Sequence, residues 1–182
     1  GVIYIVRDPR SVAKSFANHN QMSLESATDK LLEFGTLTGE TKHSQTIKNQ
    51  VITHMGSWSS NYNTWKEFKK LNKYFLVKYE DLVSNTEQTF IEILKFIYML
   101  GNSKPKIDNN KLKNTLKSTT FSEMQKLEKG KGFKEAIKDI DGNKITFFKY
   151  GLKKNDPNLF PKNLNDKIQE ELKDELKELN YI

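Results

Sequence analysis

The residues best suited to bind an anion follow directly after the first run of β-forming residues. Val2–Val6 predicts a strand that is buried on both faces, and an Arg-Asp-Pro-Arg loop over residues 7–10 comes next. A helix is predicted from Ser11, and Ser15 lies just over one helical turn beyond it. Ligands of parallel sheets lie beyond the carboxyl ends of the strands, where the start of a helix presents unpaired N–H groups. A phosphate held by Arg7 and a serine hydroxyl is therefore one chemistry that this segment allows.

A structural interpretation of the same residues is equally open. Arg7 could pair with Asp8 or Asp81, and Ser15 could be a small packing residue. Arg7 and Arg10 are the only two arginines among 30 basic residues. This usage indicates that arginine is kept where its planar fork matters, and a codon preference for lysine with two exceptions is the alternative. The residues alone do not decide between these interpretations.

Composition limits the class of protein. The chain has 182 residues, 36% of them hydrophobic, which is enough to bury the core of one domain. It contains no cysteine, which excludes a disulfide scaffold, a thiolate zinc site, an iron–sulfur cluster and a cysteine nucleophile. The three histidines lack metal-ligand spacing, so we predict no metal site. No apolar run approaches the ~20 residues of a membrane helix and the first residues are unlike a signal peptide, so a cytoplasmic protein without a transmembrane segment is predicted.

Common nucleotide-binding loops are absent from the sequence. It has neither Gly-x-x-x-x-Gly-Lys-Ser/Thr nor Gly-x-Gly-x-x-Gly, and the Gly-Lys-Gly at residues 130–132 is too short for either pattern. A nucleophile elbow is also lacking. The strand, loop and helix over residues 2–17 are therefore the most informative part of the chain.

The remaining elements are predicted from periodicity and turn residues. Residues 74–79 predict a second strand, and Ser84 with Glu87 is typical of a capping box that opens a helix over Thr86–Leu100. One buried helical stripe is predicted from Trp58, Tyr62, Trp65 and Phe68. Further helices are predicted over 24–37, 108–117, 119–127 and 164–179, with a surface loop over 129–143 and a strand or turn at 145–148. Strands followed by helices predict a three-layer α/β/α domain with a mainly parallel sheet.

Five blocks of sequence, in order along the chain, resemble the cytosolic-type sulfotransferases, which use 3′-phosphoadenosine 5′-phosphosulfate (PAPS) as sulfuryl donor. The first block is the strand with Arg7 at its end and Ser15 eight residues later. The others are Gly56-Ser57-Trp58 with Trp65, Tyr79-Glu80-Asp81-Leu82 after a strand, residues 119–124 and residues 147–151. The resemblance implies the sulfotransferase fold, a P-loop-nucleotide-hydrolase-like architecture, with residues 1–182 forming the C-terminal portion of a single domain.

Carried over residue by residue, the resemblance implies a nucleotide site without a metal. The 3′-phosphate would be bound by Arg7 and Ser15, with Lys149, Tyr150 and Gly151 closing over it. The adenine would be contacted by Tyr79 and Thr119, with Phe121 and Phe147 beside it. These assignments suit the residue types, because a guanidinium and a hydroxyl bind phosphate and aromatic faces bind a base. Ordinary core packing is the alternative for Phe121 and Phe147, and it is the favoured interpretation for Trp58 and Trp65.

The sequence departs from the family pattern at three places. The family's late Arg-Lys-Gly is here Lys149-Tyr150-Gly151, so a bidentate phosphate contact becomes a single ammonium. Asn155-Asp156-Pro157-Asn158 replaces the usual Gly-Asp-Trp-Lys. The family's short dimerisation motif is not recognisable, so that dimer is not predicted. The phosphosulfate loop with its catalytic lysine, and the usual catalytic histidine, would precede the first strand, so we assign no catalytic residue here and expect these residues alone to be inactive.

The predicted function is transfer of a sulfuryl group from PAPS to a hydroxyl or amine acceptor, with 3′,5′-adenosine bisphosphate (PAP) as product. The acceptor class stays open among small molecules, lipids and saccharides, and no nucleic acid partner is predicted. A basic, non-catalytic nucleic-acid-binding module is one alternative, because the net charge is +7 and aromatic residues are interleaved with lysines. A kinase-like phosphonucleotide enzyme of the same architecture is another.

Overall fold

The computed structural model describes residues 1–34, 37–38, 53–54, 56–132, 142–149 and 159–182. In chain order the elements are β1 (Val2–Val6), α1 (Pro9–Asn20), α2 (Leu24–Leu32), β2 (Leu37–Thr38), β3 (Thr53–His54), α3 (Trp58–Lys66), a 3-10 helix (Glu67–Leu71), β4 (Tyr74–Lys78), α4 (Tyr79–Ser84), α5 (Thr86–Leu100), α6 (Asn109–Ser118), α7 (Phe121–Lys131), α8 (Lys162–Glu171) and α9 (Lys173–Glu178). None of the described helices is both long and apolar enough to cross a membrane.

Two parallel strands, β1 and β4, form the sheet that carries the candidate site. Val2 lies opposite Tyr74 and Val6 lies opposite Lys78, so both strands end at the same edge. Helices cover both faces of this sheet: the Tyr62 ring of α3 lies 6.0 Å from that of Tyr4, and the Phe96 ring of α5 lies 5.3 Å from that of Phe75. The predicted three-layer α/β/α class with a parallel sheet is confirmed. The second pair, β2 and β3, is antiparallel and only two residues long.

Helix α1 begins directly after the loop that follows β1. Its N-cap is Asp8, whose carboxylate accepts a hydrogen bond from the backbone N–H of Arg10 at 2.9 Å, and Pro9 occupies the first turn. The helix ends at Gln21, which adopts the left-handed conformation (φ 51°, ψ 46°). The strand, loop and helix predicted for this part of the chain are confirmed, with the helix extending three residues beyond the predicted segment.

The main core is formed by the last two helices against α1. The predicted helix over 164–179 is divided into α8 and α9 at Leu172, whose backbone leaves the helical region (φ −116°, ψ 23°). The predicted apolar face is nevertheless buried throughout, and its members are Leu164, Ile168, Leu172, Leu176 and Leu179. Ala13 of α1 packs into the same cluster, together with Phe160. The C-terminal helices therefore hold α1 in place under the site.

The predicted buried stripe of aromatic residues is wrong beyond Tyr62. Trp65 is 42% exposed and Phe68 is 37% exposed, and their rings stack on one another at 5.8 Å. Phe68 lies in the 3-10 helix that begins at Glu67, where a period of 3.0 instead of 3.6 residues turns its side chain off the predicted stripe. Trp65 is still in the last turn of α3, and its exposure precedes this change. Trp58, at the start of the stripe, is half-buried.

Three further predictions need correction at their boundaries. Helix α2 ends at Leu32, short of the predicted 37, because Glu33 is extended (φ −73°, ψ 126°). The capping box is wrong: α4 occupies Tyr79–Ser84, so Ser84 is helical itself, and Asn85 is the N-cap of α5. The predicted loop over 129–143 begins inside α7, which continues to Lys131, and its residues 133–141 lie outside the described part of the chain.

Candidate functional site

Arg7 and Tyr79 meet at the carboxyl edge of the two parallel strands. Arg7 follows the last residue of β1, and Tyr79 follows the last residue of β4, so the parallel register places them side by side. The guanidinium carbon of Arg7 lies 4.2 Å from the centroid of the Tyr79 ring. This cation–π contact holds the guanidinium over the ring. The indole Nε1–H of Trp58 donates to the backbone carbonyl of Arg7 at 3.3 Å, which holds the loop from below.

Asp8 is not the partner of Arg7 but of Arg10. The Arg10 guanidinium donates from Nε to Oδ1 of Asp8 at 2.9 Å and from Nη2 to Oδ2 at 2.6 Å, a bidentate pair. Arg10 is only 8% exposed, and its Nη1 and Nη2 also donate to Asn165 Oδ1 and to the Tyr181 carbonyl. Of the two arginines, Arg10 is therefore structural. Among the described residues no carboxylate pairs with Arg7, so the predicted alternative of an ion pair with Asp8 or Asp81 is wrong.

One face of α1 leads from Ser15 to the segment before residue 150. Ser15 is exposed, and Asn18 and His19 lie three and four residues further on, so the three share a helix face. The Lys149 ammonium donates to Asn18 Oδ1 at 3.2 Å, and the His19 ring meets the Phe147 ring edge-on at 5.8 Å. The structure thus brings Phe147 and Lys149 to the same helix face as Ser15.

An aromatic row continues from Phe147 toward α7. The rings of Phe147 and Phe148 are 5.2 Å apart, and those of Phe148 and Phe121 are 6.1 Å apart, both in edge-to-face geometry. Phe121 is 37% exposed and Phe147 is 44% exposed, so the alternative that they are ordinary core residues is wrong. Exposed aromatic rings beside a cationic and hydroxyl-bearing helix face can stack on a planar base.

Helix α7 holds the 147–149 segment through two polar side chains that sequence reasoning missed. The Glu128 carboxylate accepts hydrogen bonds from the backbone N–H groups of Phe147 at 2.6 Å and Phe148 at 3.0 Å. The Gln125 side chain donates to the Phe148 carbonyl at 2.8 Å. Gln125 and Glu128 are three residues apart on one helix face, and nothing in the sequence distinguishes this pair from other polar pairs on the protein surface.

A profile of the sulfotransferase domain matches residues 1–180 of the chain. The chain belongs to the sulfotransferase family. The crystal structure of mouse sulfotransferase SULT7A1 complexed with PAP is similar in fold, with a TM-score of 0.58 and 20% sequence identity. The match covers 97% of this chain and 58% of the mouse chain. A search of curated proteins gives no match. The family predicted from the five sequence blocks and its fold are thereby confirmed.

Thr119, Tyr150 and Gly151 are the other predicted site residues, and the structure describes only Thr119. Thr119 is the C-cap of α6, and its hydroxyl donates to the Thr115 carbonyl at 2.9 Å. Tyr150 and Gly151 lie outside the described residues, so their roles stay predictions. Within the described part of the chain, no three His, Asp or Glu residues are grouped as metal ligands would be.

Replacing Glu128 with alanine is expected to release the 147–149 segment from α7. The backbone N–H groups of Phe147 and Phe148 then lose their acceptor, so their hydrogen exchange, measured by NMR or mass spectrometry, should accelerate by about tenfold, as for the loss of hydrogen bonds to a charged group. Glu123→Ala is the matched control, because Glu123 lies on the same helix and pairs with Lys126 at 2.6 Å. Unchanged exchange at Phe147 and Phe148 in the Glu128 variant would contradict this arrangement.

Proposed function

We propose that this chain binds the 3′-phosphoadenosine part of PAPS, and that the protein containing it transfers the sulfuryl group to a hydroxyl or amine acceptor. The observation that carries the proposal is the Arg7 guanidinium. It is stacked on Tyr79 at the carboxyl edge of the sheet, and no described carboxylate neutralises it. A guanidinium that is held over an aromatic ring, with no described counter-ion, can bind an anion with several oxygens.

The start of α1 favours a phosphate beside Arg7. Apart from its Asp8 N-cap, the helix has no acidic side chain in its first turn, so the positive end of its dipole is only partly offset there. Two described carboxylates lie beside this loop: Asp8 is paired with buried Arg10, and Glu80 accepts the Asp8 backbone N–H and the Tyr181 hydroxyl. The Asp8 charge is thus offset locally and does not cancel that of Arg7.

The face of α1 beyond the loop supplies the other ligands that we propose. The Ser15 hydroxyl would donate to the 3′-phosphate, and the Lys149 ammonium, held near this face by Asn18, would add a single positive charge. A lysine at this position gives a point charge without the fork of an arginine, so its contribution should be smaller than that of Arg7. Tyr150 and Gly151 would close over the phosphate.

Aromatic side chains from three elements would hold the adenine. Tyr79 is the first residue of α4, Phe121 is the first residue of α7, and Phe147 lies on the segment that α7 holds. Their rings offer faces and edges to a planar base, with Thr119 near the start of α7 as a polar contact. This set would distinguish an adenine nucleotide from a free phosphate ester.

The mechanism that follows assigns an anchoring role to this chain. When bound, PAPS supplies the sulfuryl group for an in-line displacement at sulfur, and PAP departs with the negative charge. Arg7 and Ser15 fix the 3′-phosphate, and the aromatic residues fix the base, so the donor is held in one register relative to the acceptor. Anchoring of this kind lowers the barrier by positioning, while the base and the cation at the leaving phosphate are expected from residues that we do not assign in this chain.

The test of this function is a donor comparison with the intact protein. We expect formation of PAP from PAPS in the presence of a panel of phenols, alcohols, amines and saccharides, and no transfer from ATP to the same acceptors. Phosphorylated acceptors with ATP and no sulfated product with PAPS would contradict the proposal and favour the kinase-like alternative. High affinity for oligonucleotides with steep salt dependence, and no turnover of PAPS, would favour a nucleic-acid-binding module.

A further inference from the structure

We propose that Tyr181 is a positioning residue for nucleotide binding, because its hydrogen bond to Glu80 fixes the loop that carries Arg7 against the start of α4, which carries Tyr79. The inference rests on the proposed function and adds a residue that lies outside the predicted site. Tyr181 follows α9, more than 100 residues along the chain from either segment. None of the described hydrogen bonds of Tyr181 goes to a proposed phosphate ligand or to the aromatic row. Tyr181 acts through residues next to Arg7 and Tyr79 in the sequence.

Glu80, in the first turn of α4, forms hydrogen bonds with both the loop after β1 and Tyr181. One carboxylate oxygen of Glu80 accepts the backbone N–H of Asp8 at 3.1 Å, and the other accepts the Tyr181 hydroxyl at 2.8 Å. Asp8 directly follows Arg7, and Glu80 directly follows Tyr79. A single side chain therefore joins the residue after the proposed phosphate ligand to the residue after the proposed adenine ligand, and Tyr181 orients that side chain.

Tyr181 itself is held from two further sides. The Lys78 ammonium lies 4.5 Å from the centroid of the Tyr181 ring and donates to the Leu179 carbonyl at 2.7 Å. The Arg10 guanidinium donates to the Tyr181 carbonyl at 3.0 Å. Burial, together with the hydrogen bond to Glu80, raises the pKa of Tyr181 well above its usual range, so the hydroxyl remains a donor at neutral pH. The Glu80 bond is thus a fixed contact.

Residues 179–181 contact both neighbours of Tyr79, and through Glu80 they are connected to the residue after Arg7. Lys78 and Glu80 flank Tyr79, and both contact residues 179–181. The Arg7 guanidinium, by contrast, is held in the described structure only by its stacking on the Tyr79 ring. A shift of the start of α4 would therefore tilt the Arg7 fork away from a bound phosphate, since bidentate contacts depend on orientation.

The test compares Tyr181→Phe with the matched control Tyr98→Phe in the intact protein. Each variant removes one tyrosine hydroxyl with one hydrogen bond, since the Tyr98 hydroxyl donates to the Lys106 carbonyl at 2.9 Å on the far side of α5. Calorimetric titrations with PAP and with 5′-AMP give the preference for a 3′-phosphate. We expect Tyr181→Phe to reduce this preference by about three- to tenfold, the size of one ordinary hydrogen bond, because Tyr181 acts on the phosphate only through Glu80, and Tyr98→Phe to leave it unchanged.

A second variant, Glu80→Gln, alters the acceptor of the same Tyr181–Glu80 hydrogen bond. Because both substitutions disturb one hydrogen bond, the double variant should lose little more preference than either single variant. Urea unfolding of all variants separates a positioning role from a structural one: lower stability with an unchanged preference for PAP over 5′-AMP would overturn the inference and leave the proposed function standing. If Tyr181→Phe does not fold, Glu80→Gln decides by the same criterion. A wild-type protein that binds PAP and 5′-AMP with equal affinity would overturn both this inference and the proposed function.

Discussion

Arg7→Ala is expected to weaken the binding of PAP by about 10- to 150-fold, which corresponds to about 1.5–3 kcal/mol for a charge-assisted contact. The fold should survive, because the described structure gives the Arg7 guanidinium no ion pair and only the stacking contact with Tyr79. The affinity for 5′-AMP, which lacks the 3′-phosphate, should change far less. Calorimetric titration of the variant with both nucleotides measures the two effects separately.

Arg7→Lys is the control that separates charge from geometry. It keeps one positive charge at the edge of the sheet but removes the planar fork, so its affinity for PAP should lie between those of the wild type and Arg7→Ala. An Arg7→Ala protein that is folded and binds PAP as the wild type does would remove Arg7 from the site.

Asp8→Ala is expected to lower the free energy of unfolding by about 3–5 kcal/mol, because it leaves the buried Arg10 guanidinium without its carboxylate. Among the described residues, Arg10 then retains only Asn165 and the Tyr181 carbonyl as partners, and neither is charged. The same substitution removes the N-cap of α1, where Asp8 accepts the backbone N–H of Arg10. Urea unfolding followed by circular dichroism gives the free energy directly.

Asp108→Ala is the matched control for the loss of the cap alone. Asp108 caps α6 by accepting the backbone N–H groups of Asn110 at 2.9 Å and Lys111 at 3.1 Å, and its surroundings are exposed. Its loss should cost about 1 kcal/mol, as for an ordinary N-cap. Equal losses of stability in the two variants would mean that the Asp8–Arg10 pair adds nothing to the cap, which would contradict the structural role assigned to Arg10.

The strand, loop and helix at the start of the chain could be predicted because their signals are local. Five β-formers, a proline in the first helical turn and an aspartate before it define β1, the loop and α1 without reference to distant residues. The family resemblance then assigned Arg7 and Ser15 to a phosphate. The contact between Arg7 and Tyr79 could not be predicted in the same way, because it depends on the register of β1 against β4 across 72 residues of sequence.

The residues that the sequence did not reveal are those whose partners are distant. Arg10 looks equivalent to Arg7 in the sequence, but the structure pairs Arg10 with Asp8 and brings the distant Asn165 and Tyr181 to the same guanidinium. Glu128 belongs to no sequence motif. Its role as the acceptor that holds the 147–149 segment is evident only from the packing of that segment against α7. The exposed Phe68 shows the opposite error, because the 3.6-residue period of α3 does not continue across the start of the 3-10 helix.

The most direct test of the central claim is calorimetric titration of the intact wild-type protein with PAP, with 5′-AMP as the control. The two nucleotides differ only in the 3′-phosphate, which is the group assigned to Arg7 and Ser15. We expect PAP to bind with at least about tenfold higher affinity, the smallest effect of one charge-assisted phosphate contact. Equal affinities for PAP and 5′-AMP, in a protein shown to be folded, would contradict a 3′-phosphate site at the edge of this sheet.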